Sequence, residues 1–189
     1  NLDYLPLGTV WTYGNLDNPD NDTVKVISNG EVELDGNTYT QFFNETMGTT
    51  RYFRKDTTAG IYYEYISPTQ DFPLETPVEI IVLQENPEPN FTWESEDYTL
   101  IYTATGIETR IPVKLKSTNT AYNATYDING RTYKNVIEVT SNILVKQSDG
   151  SYSDAGSYAI TYFAKGIGIV AYSEQSTGVG YGIKHYITP

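Results

Sequence analysis

Chemistry in this chain would have to rest on carboxylates, hydroxyls and one histidine, because cysteine is absent and His185 stands alone. A Ser-His-Asp triad would depend on His185, and no Gly-x-Ser-x-Gly elbow presents a nucleophile to it. Zinc sites need clustered His or Cys, which the chain lacks. The stretch Gly178-Val179-Gly180-Tyr181-Gly182 has no Lys-Ser/Thr ending of the kind that cradles phosphate, and reads instead as a close approach of backbones or a bulge. The acidic loop carrying Asp17, Asp20 and Asp22 offers hard oxygens of the type calcium takes. Its spacing is not that of an EF-hand, and a solvated hairpin loop is the simpler reading, so those three are calcium candidates and no other cofactor is expected. A glycosidase needs two opposed carboxylates roughly 5 to 10 Å apart. Glu94, Glu96 and Asp97 follow one another near Trp93 and cannot oppose each other. No catalytic residue is expected.

Aromatic side chains are the remaining chemical resource: 18 Tyr, 6 Phe and 2 Trp. Tyr and Trp on a wet sheet face can stack on sugar rings or line an apolar groove. Trp11, Trp93, Tyr62, Tyr63 and Tyr65 are the ligand-binding candidates. Strand alternation sends Tyr63 and Tyr65 to one face and Tyr62 to the other. Cross-strand packing is the competing reading for all five.

These side chains must be positioned by strands. In Ile111-Pro112-Val113-Lys114-Leu115-Lys116 the apolar residues alternate with the others, the mark of a half-buried strand. Similar runs cover 23–27, 39–43, 51–55, 61–66, 98–105, 133–140, 158–164 and 167–173, most of them rich in Tyr, Thr, Val and Ile. Turn signals separate them at Ser28-Asn29-Gly30, Asp35-Gly36, Asn129-Gly130, Ser148-Asp149-Gly150 and Lys165-Gly166. Thr76-Pro77-Val78-Glu79 carries helix-start signals, but the β-branched run Ile80-Ile81-Val82-Leu83 that follows favours a strand, with a short helix as the alternative.

A motif set occurs twice in the same order. Trp11, Gly36-Asn37-Thr38-Tyr39, Tyr52-Phe53-Arg54-Lys55 and Gly60-Ile61-Tyr62 are echoed by Trp93, Gly130-Arg131-Thr132-Tyr133, Tyr162-Phe163-Ala164-Lys165 and Gly168-Ile169-Val170. The expected fold is therefore all-β and antiparallel, with two homologous halves, 1–86 and 87–189, sharing one core in a curved sheet, half-barrel or sandwich. Halves of this size rarely bury enough apolar surface alone.

Charge narrows the partners. With 12 basic against 24 acidic residues, net −12, the whole field opposes nucleic acid and anionic membranes. No apolar run is long enough for a membrane-spanning helix. Four Asn-x-Ser/Thr sequons, at Asn21, Asn44, Asn90 and Asn123, are about what this composition gives by chance.

The segment Tyr158-Ala159-Ile160-Thr161-Tyr162-Phe163-Ala164-Lys165-Gly166-Ile167-Gly168-Ile169-Val170 resembles a pattern in bacterial secreted proteins and lipoproteins, many from Bacteroidota, in which a tyrosine-rich strand runs into Ala-Lys-Gly-x-Gly-x-Val. Tyr133-Lys134-Asn135-Val136 looks like their companion element, and Phe91-Thr92-Trp93 like their earlier Trp strand. The resemblance spans about residues 90–173 and implies an extracytoplasmic protein of the periplasm, outer-membrane surface or secreted fraction. It brings no catalytic residue with it. Such proteins are often tethered through a lipid-bearing cysteine; this sequence has none, so any lipid anchor is expected to lie outside it. The functional expectation is a non-catalytic binding or structural module whose partner is a glycan, an apolar ligand or another envelope protein. A subunit assembling through edge strands, and a carboxylate-based glycan hydrolase, are the alternatives.

Overall fold

A computed structural model describes residues 3–18, 20, 23–69, 72–175 and 177–187. It contains thirteen strands and, among the described residues, no helix. In chain order they are β1 (Val10–Asn15), β2 (Val24–Leu34), β3 (Asn37–Asn44), β4 (Thr49–Asp56), β5 (Ile61–Ile66), β6 (Val78–Gln84) and β7 (Thr92–Glu94). There follow β8 (Tyr98–Ala104), β9 (Ile107–Ile128), β10 (Arg131–Lys146), β11 (Tyr152–Ala164), β12 (Gly168–Glu174) and β13 (Val179–Ile187).

All belong to one antiparallel sheet in the order β6-β5-β4-β3-β2-β1-β13-β12-β11-β10-β9-β7, with β8 beside β7 on the same edge of β9. Each hairpin pairs neighbours in sequence, and the pairing of β1 with β13 joins the two runs of strands. The right-handed twist of the sheet bends it into a nearly closed barrel, so the sandwich expectation gives way to a single curved layer. At the seam the terminal strands meet through side chains. The Trp93 indole donates to the Ile81 carbonyl at 2.9 Å, and Asn119 Nδ2 donates to the Gln84 and Asn86 carbonyls at 2.9 and 3.2 Å. A second small core of Leu74, Tyr98, Leu100 and Val113, with Ile66 and Val78 against it, ties the β5–β6 turn region to β8 and β9. The 73–75 segment also covers the free edge of β8, Ile101 N donating to Pro73 O at 2.7 Å and Glu75 N to Thr99 O at 2.9 Å.

Most expected strands and turns are observed. The 80–83 run is strand β6, since β-branched side chains favour the pleated surface over a helix. Ser28-Asn29-Gly30 is not a hairpin turn. It lies inside β2, where the register slips between Ser28 and Glu31 and Gly30 takes φ 82°, a bulge that increases the local bend. The Gly-x-Thr-Tyr pair follows the β2–β3 and β9–β10 turns and the Tyr-Phe pair lies on β4 and β11, but β3 is the second strand after the β1 of Trp11 and β10 the third after the β7 of Trp93, so the two motif sets do not correspond strand for strand. The boundary after residue 86 lies between β6 and β7, across which one continuous core runs.

The floor of the barrel is closed by the residues before β1. Tyr4 and Leu5 are buried; Tyr4 N donates to Tyr62 Oη at 3.3 Å, and Asp3 O receives Gly166 N at 2.6 Å. Lys55, with its side chain buried, pairs there with Glu85 at 2.6 Å and Asp3 at 3.7 Å. In the glycine-rich run approaching the C-terminus the neighbours that come close are side chains, not the backbone expected. A Cβ on Gly182 would come within 2.7 Å of Leu16 and 2.8 Å of Ile128, both lying over the outside of β13.

Candidate functional site

Strand alternation aims one set of side chains into the barrel. Trp11 and Tyr13 of β1, Val24 and Val26 of β2, Phe42 and Asn44 of β3, and Arg51 and Phe53 of β4 all line one cavity. Ile169 and Tyr172 of β12 and Tyr181 of β13 continue the wall beyond β1, and Leu5 contributes from the floor. The cavity holds about 430 Å³ and is mostly apolar. A smaller one of about 100 Å³ adjoins it, sharing Arg51, Phe53, Ile169 and Tyr172 and adding Ser141, Thr161 and Leu115. At the end where β3 turns into β4, the lining includes Met47, 62 % exposed, so this end is the mouth. The β1–β2 loop with Asp17 and Asp20 leaves the barrel at the same end.

An aromatic chain forms one side of the wall. The Trp11 ring lies 5.5 Å from Phe42 and Phe42 lies 5.2 Å from Phe53, the latter edge to face. Trp11 is fixed from behind: its Nε1 donates to Ile167 O at 2.5 Å, and its indole packs where Gly168, φ 117°, leaves no side chain. Tyr13 Oη donates to Ile169 O at 2.8 Å, and burial raises its pKa.

Besides Asn44 and Thr49, one charged group, Arg51, interrupts the apolar lining, and it is paired with Glu64. Arg51 Nε and Nη2 donate to the two Glu64 oxygens at 2.6 and 2.7 Å, a bidentate contact, and the guanidinium stands 4.9 Å over the Phe53 ring. Glu64 is buried. Arg51 lines the cavity and keeps 54 % of its side-chain surface accessible. Burial pushes the Arg51 pKa down, but the Glu64 carboxylate outweighs it and the group is held above its ordinary value. No carboxylate lines either cavity among the described residues, and Glu64 reaches the site only through its pair with Arg51.

The sequence candidates divide accordingly. Trp11 lines the cavity. Tyr62 is fully buried at the floor, donating to Glu85 at 2.8 Å. Tyr63 and Tyr65 lie on the face opposite Tyr62, as the alternation required, and that face is the outer one. Arg54 stands 3.9 Å over the Tyr63 ring, and Tyr65 packs against Tyr39 and bonds Asp35 at 2.9 Å, so neither offers a free aromatic platform. Trp93 is buried at the seam. Of the calcium candidates, Asp17 is exposed, Asp20 is 98 % exposed with Lys184 at 3.7 Å, and Asp22 lies outside the described residues. Among the described residues no cluster of three or more metal-ligating side chains forms. Glu94 is engaged by Lys114, and Asp97 by Lys146 and Tyr152, on the outside of the barrel.

Arg51 and Glu64 were not among the candidates. The signal was present but divided: Arg51-x-Phe53 puts a cation on the face of a core aromatic, and Tyr62-x-Glu64 does the same for an acid on the next strand. Comparison with protein-family models, with curated proteins and with solved structures gave no match.

Proposed function

We propose that this chain is a non-catalytic binding module, exported from the cytoplasm, that holds a small apolar ligand inside its barrel. The observation that carries this reading is the cavity itself. Ligand pockets run from about 300 to 1,000 Å³ and are apolar with a few fixed polar groups; here about 430 Å³ is lined by Trp11, Phe42, Phe53 and Ile169 around a single ion pair. At ~30 Å³ per water-sized group it has room for roughly fourteen such groups. Export rests on the resemblance of residues 90–173 to secreted bacterial proteins.

Other partners find less support. A glycan platform needs free aromatic faces, and those of Tyr63 and Tyr65 are covered. Edge-strand assembly needs an open edge, whereas Trp93 and Asn119 occupy β6 carbonyls and the 73–75 segment covers β8. A hydrolase needs a second carboxylate facing Glu64.

Titration with an apolar dye that fluoresces in dry surroundings tests the reading. One site per chain is expected, lost in Val26→Trp, which fills the cavity, while the circular-dichroism spectrum is retained. A folded protein that binds no apolar probe, or a Val26→Trp variant that binds it equally well, refutes the proposal.

A further inference from the structure

Resting on that reading, the geometry points to a ligand with an uncharged oxygen head, such as an ester, ketone or alcohol, that accepts a hydrogen bond from Arg51. Arg51 spends Nε and Nη2 on Glu64, and among the described residues Nη1 has no partner. It stands where the larger and smaller cavities meet, so a group entering from either reaches it. A guanidinium keeps its charge at any physiological pH and has five N–H donors, so the donors left over call for an acceptor.

The charge of that acceptor follows from electrostatics. Glu64 already neutralises Arg51, and no other cation lines either cavity among the described residues. A carboxylate or phosphate head would therefore place a net negative charge in an apolar enclosure beside Glu64, at a desolvation cost that no partner offsets. The field outside acts in the same direction, with net charge −12 and Asp17 and Asp20 on a loop at the mouth. A neutral acceptor takes the free donors without adding charge. Thr161 and Tyr172 add hydroxyls to the lining of the smaller cavity that can orient the acceptor, while the Ser141 hydroxyl there is taken up by Ser117 at 2.8 Å.

The test is a matched series, methyl decanoate, 1-decanol, decanoate and decane, each displacing the apolar dye at pH 8, where the acid is ionised. The ester and alcohol should bind roughly tenfold or more tighter than the alkane, the scale of one hydrogen bond to a charged group, and tighter than the carboxylate. Glu64→Gln frees the Arg51 charge and should reverse the order of ester and carboxylate. Replacing both partners, Arg51→Met with Glu64→Leu, avoids stranding a buried charge and should erase the preference of ester over alkane while dye binding persists. Tighter binding of the carboxylate to the unaltered protein, or equal binding of ester and alkane, overturns the head-group assignment and leaves the binding module standing. If neither the dye nor any member of the series binds, both proposals fall.

Discussion

Gly168→Ala is the sharpest test of how the cavity wall is held. Two costs add. At φ 117° an L side chain sits in backbone territory that costs about 1–3 kcal/mol. The new Cβ would also lie 2.9 Å from Trp11 Nε1 and 3.1 Å from Cε2 and Cζ2. Trp11 cannot simply retreat, because its Nε1 is bonded to Ile167 O, one residue from the substitution; losing that bond adds about 1 kcal/mol. The sum is about 3 kcal/mol, and a domain of this size loses about 2–4 °C per kcal/mol, so Tm should fall by about 6–12 °C. Gly166→Ala is the control: φ is 78° and no atom lies within 4 Å of the added Cβ, so the backbone penalty stands alone at about 1 kcal/mol. Thermal unfolding followed by circular dichroism gives both values. In a Trp11→Phe background the excess of Gly168→Ala over Gly166→Ala should shrink, the coupling that a double-mutant cycle isolates. The reasoning is refuted if the two alanines cost the same in the unaltered chain, or if the Trp11→Phe background leaves the excess intact.

Leu5→Ala should enlarge the cavity at its floor by roughly 90 Å³, three carbons at ~30 Å³ each, and move the best-bound alkyl chain to a length about three carbons greater; an unchanged optimum would place Leu5 outside the ligand's reach. It should also cost about 2–5 kcal/mol of stability, read from denaturant unfolding. Acid should weaken the fold through Glu79, whose carboxyl burial pushes up but Arg54 and Tyr39 pull below its ordinary value on balance. Because the folded pKa is the lower one, that stability is complete above the unfolded carboxyl value near 4.3 and disappears as pH falls through the folded value. Glu79→Gln should accordingly be less stable than the parent at pH 7 and approach it at low pH in urea titrations. At the alkaline end, burial first, then hydrogen bonds and charges, raise Tyr4 and Tyr39 to about 12 and Tyr62 and Tyr126 further. Their stabilisation is whole below the unfolded value near 10 and is lost as pH rises through 12. Tyrosinate absorbance should thus rise in two stages, the second cooperative with unfolding; a single smooth titration near 10 would contradict the burial of these rings.

How far the chain could be read in advance follows from the reach of each signal. Alternation is local, so it placed β4, β5 and the inner part of β9, and it set Tyr62 on one face with Tyr63 and Tyr65 on the other, without saying which face is inside. Turn dipeptides are local too, yet Asn29-Gly30 deceived, since positive φ serves a bulge as readily as a hairpin. Closure is a property of the whole sheet. It depends on β1 finding β13 and on Trp93 and Asn119 reaching β6 carbonyls, contacts that no periodicity encodes. Aromatic residues looked like an exposed platform because composition cannot say which side of a curved sheet is inside.

The same limit hid Arg51 and Glu64. A charge among alternating residues ordinarily marks the wet face, and on β4 that rule would turn Phe53 outward with Arg51. The rule fails because two inward charges on adjacent strands can neutralise each other, which needs β4 and β5 paired in a register that sets Phe53 opposite Glu64 and leaves Arg51 within bidentate reach. Such a pair is a poor device for stability, since apolar residues of the same volume would serve as well or better. Its presence at a cavity wall, with donors left over, fits the proposed recognition of a ligand better than support of the fold. That is why the ligand's head group, rather than the strength of the barrel, is the property that substitutions at Arg51 and Glu64 should change first.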